Sequence, residues 1–158
     1  MNESEIKKIV QDTVAKCKTE KSVMTLSLAE KIAGAVLAEA ERMGVQAVVC
    51  VSDAGGHPRL VKSMDDAYIA SYDVAVNKAF TVVALKMSTI ALKPLAQPGE
   101  SLYGIQFTNH GKIVIFGGGD PLVNADGKII GGLGVSGGSE AQDTALSAFG
   151  KAYFERLF

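Results

Sequence analysis

The sequence predicts an α+β fold, an antiparallel sheet with helices layered on it, in the order α-α-β-β-α-(loop)-β-β-β-α. Three observations carry this. Strand-like runs are joined by short hairpin signals rather than by helical crossovers, which argues against a parallel, doubly wound sheet. Twelve of the 17 glycines lie between Gly99 and Gly138, so a helix-forming half precedes a glycine-rich half. With 158 residues and a hydrophobic content of 47%, the chain is long enough for one domain with a substantial core.

The elements follow in order. Asn2 or Ser4 caps a first helix, and Glu3 and Glu5 favour its positive end. Ile6, Ile9, Val10, Thr13, Val14 and Cys17 recur at helical spacing as a narrow apolar stripe, opposite Lys7, Lys8, Asp12 and Lys16. Residues 18–24 read as a polar linker. Ser27 and Glu30 form the capping box of a second helix that Gly44 terminates, with Leu28, Ile32, Ala35, Val36 and Ala40 as its core face. The valine-rich run 45–52 is a buried strand, Asp53-Ala54-Gly55-Gly56 a hairpin turn, and residues 58–64 the return strand.

Residues 66–87 lack Gly and Pro and place Ile69, Tyr72, Val76, Phe80 and Val83 on one stripe, so they form a long, largely buried helix. Pro94, Pro98 and Gly99 make residues 88–101 a loop. Strands are expected near 104–108, 112–117 and 128–135, with Asn124-Ala125-Asp126-Gly127 as a hairpin turn. Ser139 caps the last helix, whose inner face is Ala145, Leu146, Phe149, Tyr153 and Phe154.

Composition excludes several functions. A formal net charge of −1 lacks the basic field of a nucleic-acid binder. No apolar run approaches the ~18 residues of a membrane span, and the N-terminus lacks the pattern of a secretory signal. The expectation is a soluble, cytoplasmic domain without nucleic-acid or membrane partners. Cys17 and Cys50 are not paired as CxxC and have no histidine beside them, so no zinc site is expected. They read as one thiol on a surface helix and one buried in a strand.

The glycine-rich motifs do not form a phosphate loop. Gly117-Gly118-Gly119 is followed by Pro121, more strand and a hairpin, where a helix N-terminus would be needed. Gly137-Gly138-Ser139 does precede a helix, so either an anion docks there or the glycines simply begin the helix. Ser136 lies in Gly134-Val135-Ser136-Gly137-Gly138, which has the letters of a nucleophile elbow but no downstream histidine. Helix caps and turns account for Asp65, Asp66, Asp120 and Asp126. Lys78, in an otherwise apolar helix, either faces a pocket, where burial would lower its pKa, or snorkels to solvent.

Residues 117–138, with Asp143 in the last helix, resemble the signature of the GlcG/HbpS-type haem-binding family, which also appears as the C-terminal domain of PduO-type cob(I)alamin adenosyltransferases. The likeness extends to Val51-Ser52-Asp53-Ala54-Gly55, a strand ending in an acidic residue and a turn, and to Lys78-Ala79-Phe80-Thr81 in the long helix. It covers residues 25–158. The resemblance implies a profilin-like α-β-α fold, homo-oligomers up to octamers, and tetrapyrrole binding in some members.

The resemblance implies that haem-binding members can use a histidine near the first family helix as axial ligand, and residues 26–43 contain none. His57, beside a hairpin turn, and His110, in a loop, read as solvated turn histidines. Met24, Cys50 and the four tyrosines carry donors that iron accepts, but no spacing selects one, and the metal ligand stays unassigned. The family boundary divides the chain into an amphipathic helix with linker, 1–24, and a domain, 25–158. The N-terminal helix resembles the peptides that direct cargo into bacterial microcompartments. Ile6, Ile9, Val10 and Val14 would contact a shell or cargo protein, or else pack on the domain or a neighbouring subunit.

With no nucleophile–base pair or metal cluster in the sequence, binding is favoured over catalysis. The expected function is a non-catalytic or accessory oligomeric binder of haem, a corrinoid or a similar ligand, associated with a microcompartment if the N-terminal helix targets it there. Its pocket residues would be Asp53, Lys78, Gly118, Gly119 and Ser136. An enzyme acting on a small metabolite and a structural component without a ligand are the alternatives.

Overall fold

Asn2 begins the first helix through a reciprocal cap: its amide donates to Glu5 Oε2 at 2.8 Å, and Glu5 N–H donates to Asn2 Oδ1 at 2.9 Å. The computed structural model describes residues 2–20 and 22–157, apart from the side chains of residues 15–20, among them Cys17. Helix α1 spans Glu3–Glu20, so Lys18, Thr19 and Glu20 continue the helix where a linker was expected. Helix α2 spans Leu26–Arg42. Thr25, not Ser27, is its N-cap, accepting from Leu28 N at 3.1 Å. The buried face is Ala29, Ile32, Ala33, Val36 and Ala40, so Ala29 and Ala33 take the places expected of Leu28 and Ala35.

Strands β1 (Val48–Asp53) and β2 (Pro58–Ser63) form the expected hairpin around Asp53-Ala54-Gly55-Gly56. Strands β3 (Gly119–Val123) and β4 (Ile129–Ser136) form the second, around the turn 124–127. There the Asn124 carbonyl oxygen accepts from Asp126 N at 3.1 Å and Lys128 N at 3.0 Å. The sheet order is β2-β1-β4-β3 with every pairing antiparallel. Pro121 is tolerated because β3 is an edge strand.

The fold class is the expected α+β, with four strands. The runs 104–108 and 112–117 are not strands. Gly104, Asn109, His110 and Gly111 all adopt left-handed backbone, which coils the chain into short 3-10 turns at Ile105–Phe107 and Asn109–Gly111. The run 112–117 docks on a helix instead of the sheet, as Val114 N–H donates to Thr81 Oγ1 at 2.9 Å. The expected loop 88–101 contains helix α4 (Thr89–Leu95), capped by Ser88 and with Leu92 buried.

The sheet is covered on both faces. Helices α2 and α5 (Glu140–Glu155) pack against Val49, Val51, Leu133 and Val135, while α3 (Ile69–Ala84) packs against Val48 and Cys50. In α5 the capping box of Ser139 and Gln142 is present, and Leu146 and Phe154 are buried while Ala145 is exposed. In α3 the expected stripe is inverted: Ser71, Ala75, Lys78, Ala79 and Val82 face the sheet, and Ile69 is 96% exposed. The reason is distance. A side chain on Gly132 or Gly134 would collide with the Ala79 or Ala75 carbonyl, so helix and strand touch through backbone where Ala75 and Ala79 meet the glycines. The large apolar residues of α3 remain outside.

Candidate functional site

Two sites lie at opposite ends of the sheet. The first centres on Lys78, which projects from the face of α3 that meets the sheet. Its ammonium is fully buried. It donates to Val135 O at 2.8 Å and Asp143 Oδ2 at 2.9 Å, and lies 5.0 Å from the centre of the Phe116 ring. The other Asp143 oxygen accepts from Gly138 N at 2.9 Å. Burial pulls the Lys78 pKa below the usual lysine value, and Asp143 opposes that pull. The ammonium therefore does not snorkel to solvent: it clasps α3, β4 and the first turn of α5.

Gly118 and Gly119 belong to this cluster. At Gly118 (φ 110°) a Cβ would stand 2.6 Å from Lys78 Nζ, so only glycine leaves the ion pair its room. Gly119 N–H donates to the buried Thr89 Oγ1 at 2.9 Å, which ties β3 to α4. Ser136 ends β4 and donates to Ser71 Oγ at 3.2 Å, a hydroxyl pair without a base. The donors that would welcome an anion at Gly137-Gly138-Ser139 are occupied by Asp143 and Gln142. The α3 motif Lys78-Ala79-Phe80-Thr81 thus holds the clasp, Ser52 beneath Ala79 O, Gly56 beneath Phe80, and Val114.

Asp53 is elsewhere. It pairs across the sheet with Gly131 while Val48 pairs with Ser136, so Asp53 stands a strand length from Ser136 and Gly118. Its Oδ1 accepts from Gly55 N at 2.8 Å and His57 N at 3.1 Å, and faces His57 Nδ1 at 3.4 Å; Oδ2 faces Arg59 Nε at 3.5 Å. Partial burial would raise its pKa, but the two amides, His57 and Arg59 outweigh it and hold the carboxyl below its usual range. The sequence showed the turn and missed that it aims a histidine; the Asp53/His57 spacing was the available signal.

Chains of similar sequence and shape share this architecture. Residues 24–151 match the family described as haem degrading protein HbpS-like. The chain belongs to the HbpS-like family. It is 45% identical over 136 residues to an uncharacterised 15.0 kDa protein from the dhaT-dhaS intergenic region of Citrobacter freundii, covering 86% of this chain and 95% of that one. It is 39% identical to the corrinoid adenosyltransferase PduO of the same organism, covering 82% of this chain but only 39% of the enzyme. The crystal structure of a PduOC:heme complex superposes with a TM-score of 0.78 at 37% identity, over 82% of this chain and 94% of that one.

The donors of this HbpS-like chain decide whether an iron tetrapyrrole fits it. Cys50 is unsuited: burial in the sheet pushes its thiol up to about 12, so no thiolate is offered. Met24 is packed in the core. His57 is suited. Its side chain is 82% exposed, its Nδ1 faces a carboxylate, and the missing side chain of Gly55 makes room for the ring, since a Cβ there would stand 2.8 Å from Nδ1. Metal-binding imidazoles use this support, a carboxylate behind one nitrogen and the other nitrogen presented outward. The same turn contributes Ala54 to a cleft of about 440 Å³ lined also by Val83, Ile129, Lys86 and Lys128. His57 is not among the residues that line that cleft, which offers a small apolar floor and two cations but no imidazole.

Proposed function

We propose that this HbpS-like chain is a non-catalytic, accessory binder of a tetrapyrrole, with haem the first ligand and a corrinoid the second, acting as a homo-oligomer. The likeness to the PduOC:heme complex carries the reading, because it extends over most of both chains at 37% identity. The likeness to PduO brings in the corrinoid, although the chain spans less than half of that enzyme and adenosyl transfer is not part of the proposal. The tetrapyrrole metal supplies any redox or ligand-exchange chemistry; the protein supplies a donor, charge pairing and shielding.

Assembly is supported by α3. Packing through glycines puts Ala75 and Ala79 inside and leaves Tyr68, Ile69 and Tyr72 exposed, an apolar face that a second copy would cover. Microcompartment association rests on α1. Every described side chain from residue 2 to 14 is exposed, including the stripe Ile6, Ile9, Val10 and Val14, so the domain does not cover it. That stripe is free to bind a shell or cargo protein.

Absorbance titration of the full chain with haemin, and separately with cobalamin, tests the reading. The expected result is a saturable shift of the Soret band. No shift with either compound overturns it.

A further inference from the structure

We propose that the outward face of α3 is a two-fold interface, in which α3 of one copy lies antiparallel along α3 of a second and Asp73 of each meets the partner's Lys112. This rests on the homo-oligomer reading and adds the face, the symmetry and the charges that set it. Ile69, Tyr72, Val76, Phe80 and Val83 recur at three- and four-residue spacing, the pattern of a helix stripe that is buried. Within one chain it is not buried: Ile69 and Tyr72 are exposed, and Val76, Phe80 and Val83 are half-covered. The opposite side of the helix already meets the sheet, so the stripe can be covered only from outside the subunit.

Charge selects what covers it. Asp66 and Asp73 lie toward the N-terminal end of this face, and Lys86 and Lys112 toward its C-terminal end. Lys112 belongs there because its Nζ stands 5.6 Å from the centre of the Phe80 ring, while Thr81 Oγ1 donates to Lys112 O at 3.2 Å and holds the loop to the helix. All four charges are exposed, and none has an ion pair among the described residues. Asn77 Nδ2 donates to Asp73 Oδ2 at 2.9 Å, which orients the carboxylate without neutralising it. A face that is acidic at one end and basic at the other is complementary to itself turned end for end, the isologous contact of a two-fold dimer. Laid parallel, the same face sets acid on acid. With the axis between Val76 and Asn77, Asp73 and Phe80 each lie about 5 Å from it along the helix. Asp73 then falls on the partner's Phe80, where Lys112 sits, and Ile69 falls beside the partner's Ala84, an exposed small residue that leaves it room.

The test is sedimentation equilibrium of the full chain at micromolar concentration, with charge-reversed variants. Asp73→Lys and Lys112→Glu should each weaken the contact about tenfold or more, because each sets like charges against one another twice per interface. The combined variant, Asp73→Lys with Lys112→Glu, should recover wild-type assembly. Ile69→Glu should split the assembly into smaller species. Ile69, Asp73 and Lys112 are exposed, so circular dichroism should show every variant folded. Wild-type masses for both single reversals and for Ile69→Glu overturn the α3 interface while the homo-oligomer reading stands. Weakening by the single reversals without recovery in the combined variant overturns the antiparallel pairing. A wild-type chain that sediments as a monomer overturns the homo-oligomer reading itself and this interface with it.

Discussion

Lys78 and Asp143 cost free energy to bury and return it through geometry: three groups engage one ammonium, and two donors engage one carboxylate. Removing one partner strands the other. Lys78→Met should therefore destabilise the fold by about 3–5 kcal/mol, and Asp143→Asn by a similar amount. Because the two losses share a cause, the double variant should cost clearly less than their sum, with a coupling of roughly 0.5–3 kcal/mol in a urea-unfolding cycle. Asp120 behaves differently. Burial raises its pKa above the usual carboxylate value, although Ser147 O–H donates to it at 2.7 Å. The folded state then binds this proton more tightly than the unfolded chain, so stability from Asp120 is present in acid and lost as pH rises through the raised value. Asp120→Asn keeps an acceptor for Ser147, and its melting temperature at pH 7 should equal or exceed the wild type. The gap should close as pH falls toward about 4, the ordinary aspartate value. At this scale the sequence marked Lys78, Gly118 and Gly119 as unusual. It could not show Asp143 as the partner, because the contact spans 65 positions.

At the scale of elements, α3 against β4 sets the architecture. Gly134→Ala places a methyl on the Ala75 carbonyl, against backbone of α3, so a loss at the upper end of about 1–3 kcal/mol is expected by thermal or chemical unfolding. Helix α1 should respond in the opposite way. Ile9→Glu with Val10→Glu alters only exposed positions, so the melting temperature should stay within the scatter of wild-type measurements, while co-localisation with microcompartments is lost. A large drop in melting temperature would show that α1 packs on the protein. Elements with local causes were legible: both hairpin turns, the Ser139 cap and the buried run of β1. The faces of α3 were not, because periodicity finds the bulky stripe, and a glycine-lined strand reverses which stripe is inside. The run 104–117 was misread for a related reason, since its apolar residues look like strand while left-handed Asn109 and His110 coil the chain.

At the scale of the whole molecule, hairpin order alone indicated an antiparallel sheet, and the resemblance indicated the family. The layering was not legible from composition, because all three helices on the sheet carry an apolar face and only the register of β1 and β4 assigns each to a side. The five residues expected to line one pocket divide between the ends of the sheet, with Lys78, Gly118 and Gly119 at a buried clasp, Ser136 at the same end bonded to Ser71, and Asp53 at an exposed, histidine-bearing turn. No single helix among the described residues is long and apolar enough to cross a membrane. The proposed assembly rests on the exposed aromatic face of α3, and the proposed ligand binding on the likeness to the PduOC:heme complex. Native mass spectrometry of the full chain with haemin addresses both at once. The account predicts an oligomer that retains up to one haem per chain under gentle desolvation, and a bare monomer whose mass is unchanged by haemin would contradict it.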